Sequence, residues 1–210
     1  MKKILYLKIF VAVVIMISVI SAALLLLVPR REIYNYLYEQ QEMEARTGMS
    51  AFEAELNYDG MIQQILGNQE ITGMTTVASS ADLSNKILRL QRIYQCAKWI
   101  CGMGILLSVA GLIILRNQKW YDVLSLGGII TMGFSLLLAL ISLLVRPYRL
   151  FILQSRYEEF LGYDPLLVGI LPEYWAFYTW LLGLGFVFLV GIIFMLLHLG
   201  SRKSYKPHKF

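Results

Sequence analysis

Few side chains in this sequence are equipped for acid–base or nucleophilic work, and their positions limit the chemistry open to it. Among 210 residues there are two histidines, His198 and His208, the side chain type that titrates near neutrality and most often moves protons in catalysis. Both stand close to the C-terminus, behind a long apolar run. The two cysteines, Cys96 and Cys101, are five residues apart, which on a helix turns them about 140° from each other. A disulfide between them is excluded, and neither has the neighbours of a metal site, so neither metal nor cofactor is expected. Ser79, Ser80 and Ser84 are candidate nucleophiles with no basic partner in sequence, and helix capping or loop placement accounts for each. Glu158, Glu159 and Asp164 are candidate proton acceptors, but no spacing singles one out. The more telling groups are basic and aromatic: Arg89 and Arg92 in one segment, and Arg146, Tyr148 and Arg149 in another. These side chains remain protonated at neutral pH, so they are poor bases but good donors to a lipid phosphate or an oxyanion.

The elements that must position these groups are dominated by apolar length. Ile9 to Val28, Cys96 to Leu115, Val123 to Val145 and Tyr174 to Leu199 each contain about 20 or more residues free of Asp and Glu. At about 1.5 Å per residue each crosses a hydrocarbon layer of roughly 30 Å. The expected architecture is an all-α membrane protein of four transmembrane helices and one membrane domain, with spans at about 9–28, 96–115, 123–145 and 174–199. Ser21-Ala22-Ala23 imitates a signal-peptide cleavage site, but Leu24 to Val28 prolong the run to spanning length, so the first span reads as an uncleaved anchor.

Lysine and arginine order sets the expected orientation. Lys2, Lys3 and Lys8 precede the first span, Arg116 and Lys119 link the second and third, and Arg202, Lys203, Lys206 and Lys209 follow the fourth. The positive-inside rule puts all three clusters in the cytoplasm, with segments 1–8, 116–122 and 200–210 inside and 29–95 and 146–173 outside the membrane. Thirteen of the 14 acids then fall outside and Asp122 alone inside. The formal charge of +5 therefore sums two oppositely biased faces and implies no nucleic-acid partner. With no acid inside the spans and no inverted repeat, ion-coupled transport is not expected.

Within the third span Gly127, Thr131, Ser135 and Ala139 recur every four residues, and the second offers Gly104, Ser108 and Gly111. Two such small-residue stripes are expected to pack against each other. Lys98, beside Trp99, reads as a snorkelling base. The outer segments read as short amphipathic helices. Glu32 to Arg46, with Tyr34, Tyr36, Leu37 and Tyr38, is expected to continue the first helix and to end at Thr47-Gly48. Ser50 and Glu53 form a capping box for a helix carrying Phe52 and Leu56. A bend is expected at Asn57-Tyr58-Asp59-Gly60, an end at Gly67, and a loop from Leu66 to Ser80. A last helix follows, with Ile87, Leu90 and Tyr94 on one side and Lys86, Arg89 and Arg92 on the other, leading into the second span. Leu171-Pro172-Glu173 marks another helix start.

At these residues a resemblance emerges. Arg46-Thr47-Gly48-Met49-Ser50, then Asn57-Tyr58 and Leu66, then Asp164-Pro165-Leu166-Leu167 and Leu171-Pro172-Glu173, in a four-span frame, are similar to a family of small bacterial membrane proteins. That family includes the lipoprotein intramolecular transacylase of Gram-positive bacteria. The resemblance implies a setting at the outer membrane face, where active members move an acyl chain from the glyceryl group of a lipoprotein to its N-terminal amine. It also implies two extracytoplasmic histidines, one in the helix before the second span and one after the third. Here the first region reads Ser84-Asn85-Lys86-Ile87-Leu88-Arg89-Leu90, and Tyr148 stands where the second His would be. Two functions follow. One is a non-catalytic or divergent member that binds membrane lipid, a lipoprotein or another membrane protein through Arg89, Arg92, Arg146, Tyr148 and Arg149. The other is an active acyltransferase in which Tyr148, Arg149, Arg146 and Arg89 bind headgroup or oxyanion.

Overall fold

The computed structural model describes residues 2–68, 81–116, 120–145, 170–172 and 174–204. Among them the chain is helical: α1 (Lys2–Leu27), α2 (Arg31–Gln40), α3 (Met43–Thr47), α4 (Ala51–Leu66), α5 (Ala81–Ile114), α6 (Tyr121–Val145) and α7 (Trp175–Ser204). Four of these, α1, α5, α6 and α7, are long and apolar enough to cross a membrane. This is the expected fold class, four spans together with short amphipathic helices.

Helix α1 does not run on into the next segment as expected, and Pro29 is the reason. Without an N–H, Pro29 cannot bond back to the carbonyl of Leu25, so α1 ends and the chain turns through Val28 to Arg30. The orphaned Leu25 carbonyl accepts instead from the Tyr94 hydroxyl at 3.2 Å. The Val28 carbonyl accepts from the Tyr58 hydroxyl at 3.3 Å. A second interruption falls at Glu42, in the left-handed region at φ 47°, where α2 gives way to the five-residue α3. Gly48, at φ 72°, ends α3 as expected.

Helix α4 starts where the capping box places it, with Ser50 Oγ accepting from the Glu53 amide at 3.3 Å. It ends at Gly67, φ 81°. The bend expected at Asn57 to Gly60 is absent. Asn57 satisfies its amide inside the helix by donating to the Glu53 carbonyl at 2.9 Å. Gly60 weakens a helix by about 1 kcal/mol, an amount outweighed by burying Tyr58, Met61, Ile62 and Ile65 at roughly 1.5–3 kcal/mol for each large aliphatic chain. Helix α5 is 34 residues long, about 50 Å at 1.5 Å per residue. It therefore exceeds a bilayer's hydrocarbon by more than ten residues.

The chain divides into two compact units. The first takes its described residues from Met1–Ala23, Lys98–Ile141 and Leu182–Phe210. Here the glycines of both small-residue stripes face α1, where the sequence reading expects them to face each other. A Cβ on Gly104 would strike Ser18, one on Gly111 would strike Val11, and one on Gly127 would lie 3.8 Å from the Ala12 Cα. The physical reason is on α1 itself: Val11, Ala12, Ile15 and Ser18 form its own buried, mostly small stripe, which lets two neighbours approach closely. Helix α6 meets α7 through Gly128, where a Cβ would lie 2.8 Å from the Gly191 carbonyl oxygen. At one end Lys8 Nζ bonds Asp122 Oδ2 at 3.1 Å, and His198 Nδ1 lies 3.0 Å from the Tyr121 carbonyl oxygen.

The second unit comprises described residues of Leu24–Ala97 and Ser142–Leu181. Its core gathers Tyr34, Tyr38, Met43, Tyr58, Met61, Ile62, Ile65, Leu83, Ile87, Tyr94, Ile170 and Leu171. These are the apolar faces of α2, α4 and the first half of α5, joined by Met43 of α3 and by Ile170 and Leu171.

Candidate functional site

The polar features worth attention as a site lie in this second unit. They begin with the turn between α3 and α4. Thr47 Oγ1 donates to the Met43 carbonyl at 2.7 Å and accepts from the Met49 amide at 3.3 Å. The Met49 carbonyl accepts from Tyr38 at 2.8 Å, and the Asn57 amide reaches the Met49 sulfur at 3.9 Å. Thr47, Met49, Ser50, Asn57 and Tyr58 are therefore engaged in fixing this turn and its neighbours.

Three tyrosines line the interior beside that turn. The Tyr34 and Tyr58 rings stack with centroids 4.0 Å apart and 15° between planes. Tyr38 is tilted against Tyr34 at 5.8 Å, and Trp175 meets Tyr58 edge-on at 6.1 Å. Burial holds the phenols of Tyr34, Tyr58 and Tyr38 above their ordinary range, so they act as donors.

Next to them sits a charged cluster that the sequence reading missed. Arg31, at the start of α2, pairs with Glu55 at 3.3 Å and with Asp59. Glu55 and Asp59 are one turn apart on α4, a spacing that signals a shared face; the bend expected at Asn57 to Gly60 hid it. Burial raises the Asp59 carboxyl above its usual range, and the Arg31 guanidinium opposes this without cancelling it.

Arg89 and Arg92 lie on the first half of α5, both exposed, opposite the buried Leu83, Ile87 and Tyr94. Lower on the same outward face come Cys96, Trp99 (73% exposed), Ile100 and Met103. Cys96 and Cys101 are free thiols. Among the described residues no group of His, Cys, Asp and Glu has the geometry of a metal site. Arg146, Tyr148 and Arg149 lie outside the described residues, as do Glu158, Glu159, Asp164 and most of the loop expected from Leu66 to Ser80.

Fold and site together define a multi-pass α-helical membrane protein that includes a folded, tyrosine-rich helical unit. The family described as lipoprotein intramolecular transacylase Lit matches residues 9–153, and this chain belongs to that family. Solved structures of the membrane-integral Lit from Bacillus cereus are similar over almost the whole length. A form with a histidine-to-arginine substitution gives a TM-score of 0.81 at 18% identity, covering 98% of this chain and 96% of that one. A form with a histidine-to-alanine substitution gives 0.80 at 19%, covering 98% and 97%. A third structure gives 0.78 at 20%, covering 98% and 99%. At these identities the likeness carries the fold. No curated protein gives a significant match.

Proposed function

We propose that this chain is a divergent, non-catalytic member of the Lit family that binds anionic lipid headgroups or lipoproteins at the outer membrane face. The observation that carries this is the order of side chains along the outward face of α5. If the hydrocarbon begins near Cys96, 20 residues before the end of the run at Leu115, Arg92 stands about 6 Å outside it and Arg89 about 10 Å outside. Trp99 lies a turn within, at the depth aromatic residues favour. Two guanidiniums at phosphate depth, above an aromatic and then aliphatic surface, match a phosphorylated headgroup with its chains below.

Proton chemistry supports the non-catalytic reading. Acyl transfer from an ester to an amine needs a base to take the ammonium proton. The two histidines are His198 and His208, the first at the inner end of the fourth span and the second in the segment that the positive-inside rule assigns to the cytoplasm. Family membership keeps the acyltransferase as the second reading. Mass spectrometry of lipoprotein N-termini, with the chain expressed and deleted, separates them. Free amines in both strains are expected; an acylated amine found only with this chain present overturns the non-catalytic reading. The lipid part is tested by replacing Arg89 and Arg92 with Gln, which is expected to abolish stabilisation by phosphatidylglycerol over phosphatidylcholine. An undiminished preference in the double variant overturns it.

A further inference from the structure

Among the described residues, the hydroxyls of the second unit's buried tyrosines are satisfied with one exception. Tyr38 donates to Met49, Tyr58 to Val28 and Tyr94 to Leu25. Tyr34 is 1% exposed, and its hydroxyl has no hydrogen-bond partner among the described residues. A buried hydroxyl left unmade costs about 1–3 kcal/mol. Phenylalanine would keep the stacking on Tyr58 without that penalty, so the oxygen serves something that this packing does not supply.

On the footing of the lipoprotein binding proposed above, and in the buried cluster on the other side of α5 from Arg89 and Arg92, we propose that the Tyr34 hydroxyl is the hydrogen-bond donor for a carbonyl oxygen of a bound acyl ester, the linkage that joins fatty chains to a glyceryl group. Three observations define that chemistry. First, burial, reinforced by Tyr38, Tyr58, Glu55 and Asp59, keeps the phenol protonated, so it offers a donor and calls for an acceptor. Second, the nearby Arg31 guanidinium is already taken up by Glu55 and Asp59, so among the described residues this spot offers no free positive charge to an anionic acceptor, which leaves a neutral carbonyl. Third, beyond the Tyr58 and Tyr38 rings that pack on Tyr34, much of the same buried cluster is aliphatic, including Met43, Met61, Ile62 and Ile65. Hydrocarbon is at home there, and the unbranched thioethers can rearrange to admit it. An acyl ester combines the two demands, a neutral acceptor followed directly by a fatty chain. Tyr34 is on this account a binding residue, and no bond is made or broken there.

The test uses the full chain in detergent and two synthetic cysteine lipopeptides. One carries two ester-linked chains on its glyceryl group; the other is its ether analogue, which lacks the carbonyl oxygens. The wild-type chain is expected to bind the ester roughly five- to tenfold more tightly than the ether. In Tyr34→Phe the ratio is expected to fall to about one. Without lipid, Tyr34→Phe is expected to melt no lower than wild type, whereas Tyr58→Phe, which loses a made bond, melts lower. An ester preference that survives in Tyr34→Phe overturns the proposal, as does a lipid-free melting temperature lowered by this substitution, which would reveal a partner such as a bound water. If the wild-type chain binds ester and ether equally, the role of Tyr34 falls while lipid binding stands, and this comparison needs no variant to fold. If it binds neither, the lipid-binding function falls as well.

Discussion

At the scale of single residues, the cluster at Arg31, Glu55 and Asp59 shows how burial and pairing compete. Asp59 is about a quarter exposed and its partner Arg31 about half, so water screens the pair and its net worth is small. Burial is the larger influence and lifts the Asp59 carboxyl. The folded chain therefore holds that proton more tightly than the unfolded chain does. The sign follows from linkage: the stability associated with protonated Asp59 is fully present below the ordinary carboxylate value of about 4 and is lost as pH rises through the raised folded value. Asp59→Asn is expected to flatten that part of the stability curve and, at pH 7, to leave stability unchanged or higher by about 1 kcal/mol. Thermal unfolding between pH 4 and pH 7 measures both. A loss of more than about 1 kcal/mol at pH 7 would mean that attraction to Arg31 wins over burial. In the sequence this cluster is invisible from Arg31 alone, which merely follows Arg30 after a proline. It becomes readable only when Glu55 and Asp59 are placed on one uninterrupted helix.

At the scale of elements, the four long helices are legible because apolar length is a property of each segment by itself. So are the Ser50 cap and the Gly48 and Gly67 ends, which depend on local backbone needs. Partners are harder to read. Small residues on α5 and α6 announce close packing but carry no label for the surface they meet, and the answer, α1, lies in the modest stripe of Val11, Ala12, Ile15 and Ser18. Pro29 and Asn57 illustrate the same limit from opposite sides: the proline ends a helix expected to continue, and the asparagine sits within one expected to bend. Glycine substitutions on α6 test the packing directly. At Gly128 a Cβ would press on the Gly191 carbonyl at 2.8 Å, whereas at Gly133 nothing lies within 4 Å. Gly128→Ala is expected to destabilise by about 1–3 kcal/mol, because backbone cannot step aside as a side chain can. Gly133→Ala is expected to be neutral or to stabilise by up to about 1 kcal/mol through helix propensity. Equal melting temperatures for the two variants in detergent would reject the α6–α7 crossing.

At the scale of the whole molecule, sidedness is the property that ties residues and elements to function. Arg89, Arg92 and the tyrosine core reach a lipoprotein's outer-leaflet chemistry only if segment 29–95 faces outward. The first unit supplies a geometric support for the orientation inferred from charge. Lys8 near the start of α1, Tyr121 and Asp122 at the start of α6, and His198 near the end of α7 are joined by an ion pair at 3.1 Å and a polar contact at 3.0 Å. Those three helix ends therefore share one side, as four alternating crossings require. The excess of Lys and Arg flanking these ends would place that side in the cytoplasm. Asp122, the lone acid there, is neutralised by Lys8 and so does not oppose the rule. Alkaline phosphatase, active only outside, is expected to be silent when fused after Phe210 and active when fused after Asn68, while a cytoplasm-dependent fluorescent protein reports the opposite at both points. Phosphatase activity at Phe210 would turn the bundle over, carry Arg89 and Arg92 to the inner leaflet, and with them remove the basis for binding lipoproteins at the outer face.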